Sequence, residues 1–153
     1  MSAHTDNSIV IEAPLDLVWS MANDVESWPR LFEGEYAAAE VLQRENGRIV
    51  FRLTTVPQED GRSYSWVSER VLDEERHCVQ ARRVELGPFR YMSIFQSFEE
   101  VPEGVRLRWV QDFEVRPGAP FTDEQMAARI NGNSAEQLRS HKRQIEQAAH
   151  APA

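Results

Sequence analysis

Between residues 36 and 115 the sequence is a series of short segments in which apolar and polar side chains alternate, whereas helical spacing is confined to the two ends of the chain. The clearest segment, Val105 to Val115, alternates a largely apolar face with a mostly charged one, as expected for a strand with one dry and one wet side. Strands that follow one another directly, with helices at the ends of the chain, predict an α+β domain with an antiparallel sheet.

Turn residues separate the predicted elements. Asn46-Gly47 and Pro102-Glu103-Gly104 have the composition of hairpin turns, and Ala13-Pro14 can open a helix. The whole chain of 153 residues is predicted to form a single domain, with tails at about 1–6 and 148–153. The predicted strands are 8–12, 36–44, 48–56, 63–72, 77–84, 92–101 and 105–115, with two short helices before residue 32.

A long helix is predicted from about Asp123 to about Ala149. Thr122 and Gln125 have the spacing of a capping box at its start. One stripe of this helix is only half apolar, which favours a helix that covers a partly polar cavity over one that packs on a dry core. A twisted sheet curled around such a helix would enclose an internal pocket. The stripe contains Met126, Ile130, Ser134, Gln137, His141 and Ile145.

The predicted strand 63–72 places an arginine on the same face as two aromatic rings. Alternation puts Tyr64, Trp66, Ser68, Arg70 and Leu72 on one side. An inward arginine is costly unless a strongly polar or anionic group meets it. Two interpretations remain open: Arg70 reaches water at the end of a strand, or it is a cationic hydrogen-bond donor in the wall of a binding cavity. Gln111 is a second polar side chain on an apolar strand face.

Composition excludes several classes of protein. A net charge of −8 argues against nucleic acid as the main partner. The single cysteine, Cys78, fits a reducing cytoplasm, and no apolar run approaches the length of a membrane span. No phosphate-binding glycine loop, nucleophile elbow or metal-ligand spacing is present, so we expect neither a cofactor nor a metal.

Several local motifs together carry a resemblance to a known family. They are the run from Thr5 to Val10, Asn23-Asp24, Trp28-Pro29, the run from Ser65 to Arg70, Gly87-Pro88-Phe89 with Tyr91-Met92, Trp109-Val110-Gln111, and the run from Arg116 to Pro120. With them the chain resembles the single-domain aromatase/cyclases of bacterial type II polyketide synthesis, which belong to the START-like superfamily. The resemblance implies a helix-grip fold, in which a curved sheet of about seven antiparallel strands wraps around the long helix.

The family acts on a linear poly-β-ketone attached to an acyl carrier protein. The resemblance therefore implies regiospecific first-ring aldol closure, C9–C14 rather than C7–C12, and dehydration to an aromatic ring without a cofactor. It also implies the carrier and other type II polyketide synthase components as partners. Arg70, Tyr36 and Ser68 take the positions of catalytic residues. The positions that bind substrate fall on Trp28, Phe32, Phe51, Trp66, Met92, Trp109, Gln111, Ile130 and Gln137. Gln137 stands where some relatives place an asparagine.

A second function fits the same pocket. A START-like protein could bind a lipid, sterol or aromatic polyketide without catalysis, although a carrier of apolar ligands would not need Arg70, Tyr36 and Gln137 together. A carrier protein is acidic, as is this chain, so docking would require a local basic patch. The candidates are Arg129, Arg139, Lys142 and Arg143 on the long helix and Arg82, Arg83 and Arg90 near one end of the sheet, unless these are simply solvated charges.

Overall fold

The computed structural model describes residues 3–150 as one sheet with three α-helices and a short 3-10 helix at Val25–Ser27. In chain order the elements are β1 (Ala3–Ile11), α1 (Leu15–Asn23), α2 (Trp28–Leu31), β2 (Tyr36–Glu45), β3 (Arg48–Thr55), β4 (Ser65–Asp73), β5 (Cys78–Arg83), β6 (Phe89–Val101), β7 (Gly104–Val115) and α3 (Asp123–Ala149). Within residues 3–150, no helix is both long enough and apolar enough to cross a bilayer.

All seven strands pair antiparallel in the order β1-β7-β6-β5-β4-β3-β2. Every strand except β1 pairs with its neighbour in sequence, because short turns join them. The first strand instead pairs with the last, in a register that runs from Ala3 opposite Phe113 to Ile11 opposite Val105. This seven-stranded antiparallel sheet, together with the long helix α3, confirms the predicted helix-grip fold.

Helix α3 is fixed to the rest of the fold by apolar packing and by a hydrogen bond to α2. Leu138 is 1% exposed and Ile145 is fully buried, and both lie in the core that also contains Ile11 and Leu107. Each buried side chain of this kind contributes about 1.5–3 kcal/mol to stability. Ser140 Oγ also donates to the carbonyl of Leu31 at 2.6 Å, which ties α3 to α2. The helix therefore covers the inner face of the sheet along much of its length.

The predicted start and length of α3 are confirmed. Thr122 Oγ1 accepts from the Gln125 amide at 3.1 Å, and Gln125 Oε1 accepts from the Thr122 amide at 2.9 Å. The predicted N-terminal tail is wrong over residues 3–6, because β7 offers β1 a pairing partner from Ala3 onwards. The remaining tail positions, residues 1–2 and 151–153, lie outside the described part of the chain, while the predicted tail residues 148–149 belong to α3.

Strand β2 does not keep one face along its whole length. Strict alternation over the predicted strand 36–44 puts Tyr36, Ala38, Glu40 and Leu42 on one side, but the pairing with β3 shifts register after Tyr36 and again after Val41. A β-bulge inserts an extra residue and reverses the faces beyond it. As a result Tyr36 is buried, whereas Leu42 is 49% exposed.

Tyr64 does not join the inner face of β4. The strand begins one residue later, at Ser65, and the Tyr64 side chain is exposed. Its hydroxyl donates to the carboxylate of Asp60 in the preceding loop, which turns the ring away from the core. The aromatic face predicted for residues 63–72 therefore contains Trp66 but not Tyr64.

Gly104, the first residue of β7, marks a close approach to β1. A Cβ placed on it would lie 2.1 Å from the carbonyl oxygen of Ile11, and its φ is +145°.

We expect Gly104→Ala to lower the free energy of unfolding by at least about 2 kcal/mol, because backbone would have to move. Gly132→Ala is the matched control: its Cβ would meet nothing within 4 Å inside α3, so it should stabilise by about 0.5–1 kcal/mol. Urea unfolding of both variants measures the difference, and equal small effects would contradict the close approach.

Candidate functional site

Arg70 lies on the inner face of β4 and is buried, with 3% of its surface exposed. Its Nη2 donates to Asn23 Oδ1 at 2.7 Å and to Gln96 Oε1 at 3.0 Å. The guanidinium carbon lies 5.1 Å from the centre of the Trp28 ring. The structure therefore favours a cation in the protein interior over an arginine that reaches water at a strand end.

The charge of Arg70 is not neutralised. Both hydrogen-bond acceptors are neutral amide oxygens, and no carboxylate forms an ion pair with it in the described part of the chain. Burial lowers the pKa of Arg70 to about 9, so the side chain remains a cation at neutral pH. Its Nε is buried and has no hydrogen-bond partner among residues 3–150. A permanent charge with an unused donor can stabilise negative charge that develops on a bound oxygen.

Trp28, over which Arg70 lies, belongs to a cluster of aromatic rings. The Trp28 ring lies 5.3 Å from Phe32 and 5.1 Å from Phe51, measured between ring centres. Phe32 in turn lies 4.9 Å from Tyr36 and 6.4 Å from Trp109. Five residues predicted to bind substrate or act on it are therefore brought together around Arg70.

His141 belongs to the same cluster, although the sequence analysis gave it no role. It is 2% exposed, and its ring centre lies 4.7 Å from that of Phe32 and 5.2 Å from that of Trp109. Burial lowers the pKa of His141 to about 4, and the positive charge of Arg70 acts in the same direction. The imidazole is therefore neutral at physiological pH. Its place in the polar middle of the α3 stripe was the signal in the sequence.

The other predicted polar residues differ in what they contact. Ser68 is buried two residues before Arg70, on the same face of β4. Gln111 Nε2 donates to Ser134 Oγ at 2.8 Å, so Gln111 joins β7 to α3. Gln137 Nε2 donates to Glu35 Oε1 at 2.8 Å. Burial raises the pKa of Glu35, which this amide partly offsets.

Tyr36 and Arg83 form the other end of the site. Burial raises the pKa of the Tyr36 hydroxyl, the negative charge of Glu35 adds to this effect, and the positive charge of Arg83 opposes it. The Arg83 guanidinium lies 4.6 Å from the centre of the Trp66 ring and 5.3 Å from that of Phe89. Burial lowers the pKa of Arg83 to about 10, so it is a second cation beside the aromatic cluster.

This position of Arg83 was not predicted from the sequence, from which Arg83 was assigned only to a candidate basic patch. Strand alternation could have shown it, since Val79, Ala81 and Arg83 share one face of β5. The pairing of β4 with β5 then places Arg83 directly opposite Ser68. Arg83 is thus next to a residue that was predicted to be catalytic.

Two of the predicted site residues lie elsewhere. Met92 and Ile130 pack with Phe89, Phe113 and Met126 in a second apolar cluster at one end of the sheet. The reason is that β6 and α3 extend past the main core, so residues near the start of both elements meet each other. These two side chains could reach a ligand only where it extends beyond Arg83 and Phe89.

Two clefts open on the surface of the described chain. One, of about 320 Å³, is lined by Arg82, Arg83, Arg90 and Met92, among others, and so borders the site. The other, of about 490 Å³, lies by Glu33, Arg143 and His150, away from it. The rings around Arg70 contact one another, so the internal pocket stays a prediction. In residues 3–150, no three His, Cys, Asp or Glu side chains are placed to hold a metal ion.

The buried histidine makes stability depend on pH. An unfolded histidine has a pKa near 6.5, above the value of about 4 for His141 in the fold, so the unfolded state binds more protons between these pH values. The free energy of unfolding should therefore fall by about 3 kcal/mol as pH drops from 7 to 4. Carboxylates with lowered pKa, such as Glu33 at about 2, contribute only below about pH 4.5.

His141→Phe should remove most of this slope between pH 6.5 and 4.5, as measured by urea unfolding at each pH. His150→Gln, a change at an exposed position, should keep the slope of the unmodified protein. An unchanged slope in folded His141→Phe would show that His141 is not the group that titrates.

Comparison with known proteins agrees with this fold. Residues 2–146 match the family described as polyketide cyclase / dehydrase and lipid transport. A Streptomyces cyaneus protein named as a polyketide cyclase is 52% identical over 147 residues, which cover 96% of each chain. One from Streptomyces halstedii is 59% identical over 110 residues, 72% of this chain and all of that protein.

The crystal structure of the Zhui aromatase/cyclase from Streptomyces sp. R1128 superposes with a TM-score of 0.87 at 23% identity, covering 99% of this chain and 98% of that one. The chain therefore belongs to the polyketide cyclase / dehydrase and lipid transport family.

Proposed function

We propose that this protein folds a carrier-bound linear poly-β-ketone and directs the aldol closure of its first ring, followed by dehydration to an aromatic ring. C9–C14 closure is favoured over C7–C12, on the resemblance to the aromatase/cyclases alone. The observation that carries the proposal is Arg70: a buried cation without an ion pair among the described residues, with an unused Nε donor, inside an aromatic cluster.

The difficulty of this reaction lies in selection. A methylene between two ketones is already acidic, so carbon–carbon bonds form readily and many aldol products compete. Aromatic walls that hold one methylene against one carbonyl favour a single product by positioning. Trp28, Phe32, Phe51, Trp66 and Trp109 offer flat faces for this purpose.

Arg70 acts on the electrophile. Its Nε would donate to the carbonyl oxygen that is attacked and would stabilise the alkoxide as it forms. Because the two amide acceptors of Arg70 carry no charge, the full positive charge remains available for that oxygen. An arginine paired with a carboxylate would offer that oxygen much less positive charge.

Tyr36 and Ser68 serve the later loss of water. Since burial raises the pKa of Tyr36, its hydroxyl keeps its proton and can donate to a leaving hydroxyl group. Ser68, opposite Arg83, can accept and donate a proton in turn. Aldol addition and dehydration change no oxidation state overall, so neither step needs a redox cofactor.

A non-catalytic binding protein is the second candidate, and the family's description includes lipid transport. The aromatic cluster would suit an apolar or aromatic ligand equally well. An unpaired buried cation, however, lowers the affinity for a purely apolar ligand, because its charge must stay desolvated without compensation. The product that forms, rather than the ligand that binds, separates the two functions.

Arg70→Ala should fold but lose control of the product. We expect the rate of correct first-ring closure to fall by about 10²–10³, as for removal of one oxyanion donor, with shunt products of spontaneous cyclisation in its place. Arg70→Lys should restore only part of the activity, because it lacks the planar donor fork. Arg106→Ala, which removes an exposed arginine paired with Glu99, is the control. A normal product distribution from folded Arg70→Ala would contradict the proposal.

The carrier protein would dock at the cleft beside Arg83. On α3 three of the four candidate cations pair with carboxylates: Arg139 with Glu136, Lys142 with Glu146 and Arg143 with Glu33. At the cleft Arg82 pairs with Glu69 and Arg90 with Glu114, but Arg83 forms no ion pair within residues 3–150, and exposed Val84, Leu86 and Tyr91 lie beside it. This cleft also borders the site, so a chain attached to the carrier could pass from one to the other.

Reversal of charge at the cleft tests the docking. Arg82→Glu with Arg90→Glu should raise the KM for carrier-bound substrate about tenfold and flatten its salt dependence, because steering charges are lost. Binding of a free hydroxyanthraquinone, followed by fluorescence, should not change. Arg139→Glu with Arg143→Glu on α3 is the matched control and should leave KM unchanged. An equal rise in KM in both pairs, or a rise on α3 only, would place the carrier elsewhere.

A further inference from the structure

The buried imidazole of His141 carries a hydrogen-bond acceptor that takes no part in the aldol closure as described so far. Its Nδ1–H donates to the carbonyl oxygen of Gln137, one helical turn earlier, at 2.8 Å. This bond fixes the neutral tautomer, so the lone pair lies on Nε2. Within residues 3–150, Nε2 has no hydrogen-bond partner.

Two donors in the same cluster also lack partners. They are Nε of Arg70 and Nε1 of Trp109, both buried. The Trp109 and His141 rings are 5.2 Å apart between centres, and Phe32 connects His141 to Trp28, over which Arg70 lies. Buried polar atoms almost always have partners in folded proteins. The two unpaired buried donors, with the unpaired Nε2 of His141 in the same cluster, therefore fit a bound group of complementary pattern.

That pattern is two donors and one acceptor. A matching ligand presents carbonyl oxygens to Arg70 and Trp109 and a hydroxyl to His141. A simple ketone has no hydroxyl, and a carboxylate would place negative charge against the lone pair of Nε2. In the enol form of a β-dicarbonyl unit a chain of three carbons links a carbonyl oxygen to an O–H group, which fits.

We propose that His141 binds the enol hydroxyl of the poly-β-ketone through Nε2 and carries its proton during the aldol step, while Arg70 and Trp109 hold carbonyl oxygens. The inference rests on the proposed function and names the group that takes the proton. It makes His141 a catalytic residue, since Nε2 would contact the reacting enol.

The step balances without any further reactant. The enol carbon attacks the carbonyl held by Arg70, and a carbon–carbon bond forms. The enol O–H bond breaks, its proton passes to Nε2, and its electron pair forms the new carbonyl. The attacked oxygen becomes an alkoxide beside Arg70. The imidazolium then returns the proton to this alkoxide, and the product is a β-hydroxyketone. Because burial next to Arg70 disfavours the imidazolium, the return of the proton is strongly favoured.

Benzoylacetone tests the binding pattern, since it exists largely as an enol that absorbs in the near ultraviolet. Its 2,2-dimethyl derivative keeps both carbonyls but cannot form the enol. The unmodified protein should bind benzoylacetone at least tenfold more tightly than the derivative and should raise the enol absorbance in a difference spectrum. Equal affinities for the two probes would overturn the inference, whatever the variants show.

Two variants separate hydrogen bonding from proton transfer. His141→Phe removes the acceptor and keeps a ring, so folded protein should bind both probes with equal affinity. His141→Gln keeps an acceptor oxygen that cannot take up a proton at neutral pH. It should keep the enol preference yet lose at least tenfold in kcat for ring closure. A preserved preference in folded His141→Phe, or full kcat in His141→Gln, would contradict the role of His141.

Different results would refute the proposed function and the role of His141. If the native product forms in an Arg70-dependent manner but no enol preference exists, only the role of His141 is refuted. If the enol preference exists but Arg70→Ala leaves the product distribution unchanged, the proposed cyclase mechanism is refuted and the binding pattern stands.

Discussion

The structure depends on a charge held in the interior by neutral partners. Arg70 donates to the side-chain oxygens of Asn23 and Gln96, one from the end of α1 and one from β6. These bonds join elements that lie far apart in the sequence, and they orient the guanidinium without neutralising it. Carboxylates would have stabilised the buried cation more strongly. An amide holds the charge in place and leaves it available to a substrate oxygen.

Desolvation then sets the protonation state of every group near that charge. Burial keeps the Tyr36 hydroxyl protonated, and burial together with Arg70 keeps His141 neutral. A neutral acceptor, a neutral donor and a permanent cation therefore occupy one enclosed region. This combination suits carbonyl chemistry, in which a proton and a negative charge must be handled in the same step. It follows from the fold, because α3 and α2 exclude water from the inner face of the sheet.

Much of this could be predicted from the sequence. Alternation identified the strands, the capping box located the start of α3, and the inward face of β4 singled out Arg70. Local patterns failed where partners outside the segment decide the conformation. The bulges of β2 depend on its pairing with β3, and the side chain of Tyr64 follows its hydrogen bond to Asp60. Asn23 and Gln96 could not be identified as partners of Arg70, since 47 and 26 residues separate them from it.

In the proposed function the unused Nε–H of Arg70 binds the oxygen of the substrate. Nitrogen-15 NMR of the arginine Nε–H groups, with Arg70 assigned from the spectrum of Arg70→Lys, measures this contact directly. On titration with a hydroxylated aromatic polyketide, the Arg70 Nε proton should shift downfield and exchange more slowly with water, whereas that of exposed Arg106 should not change. Saturable binding of the ligand with no change at Arg70 Nε–H would contradict the account.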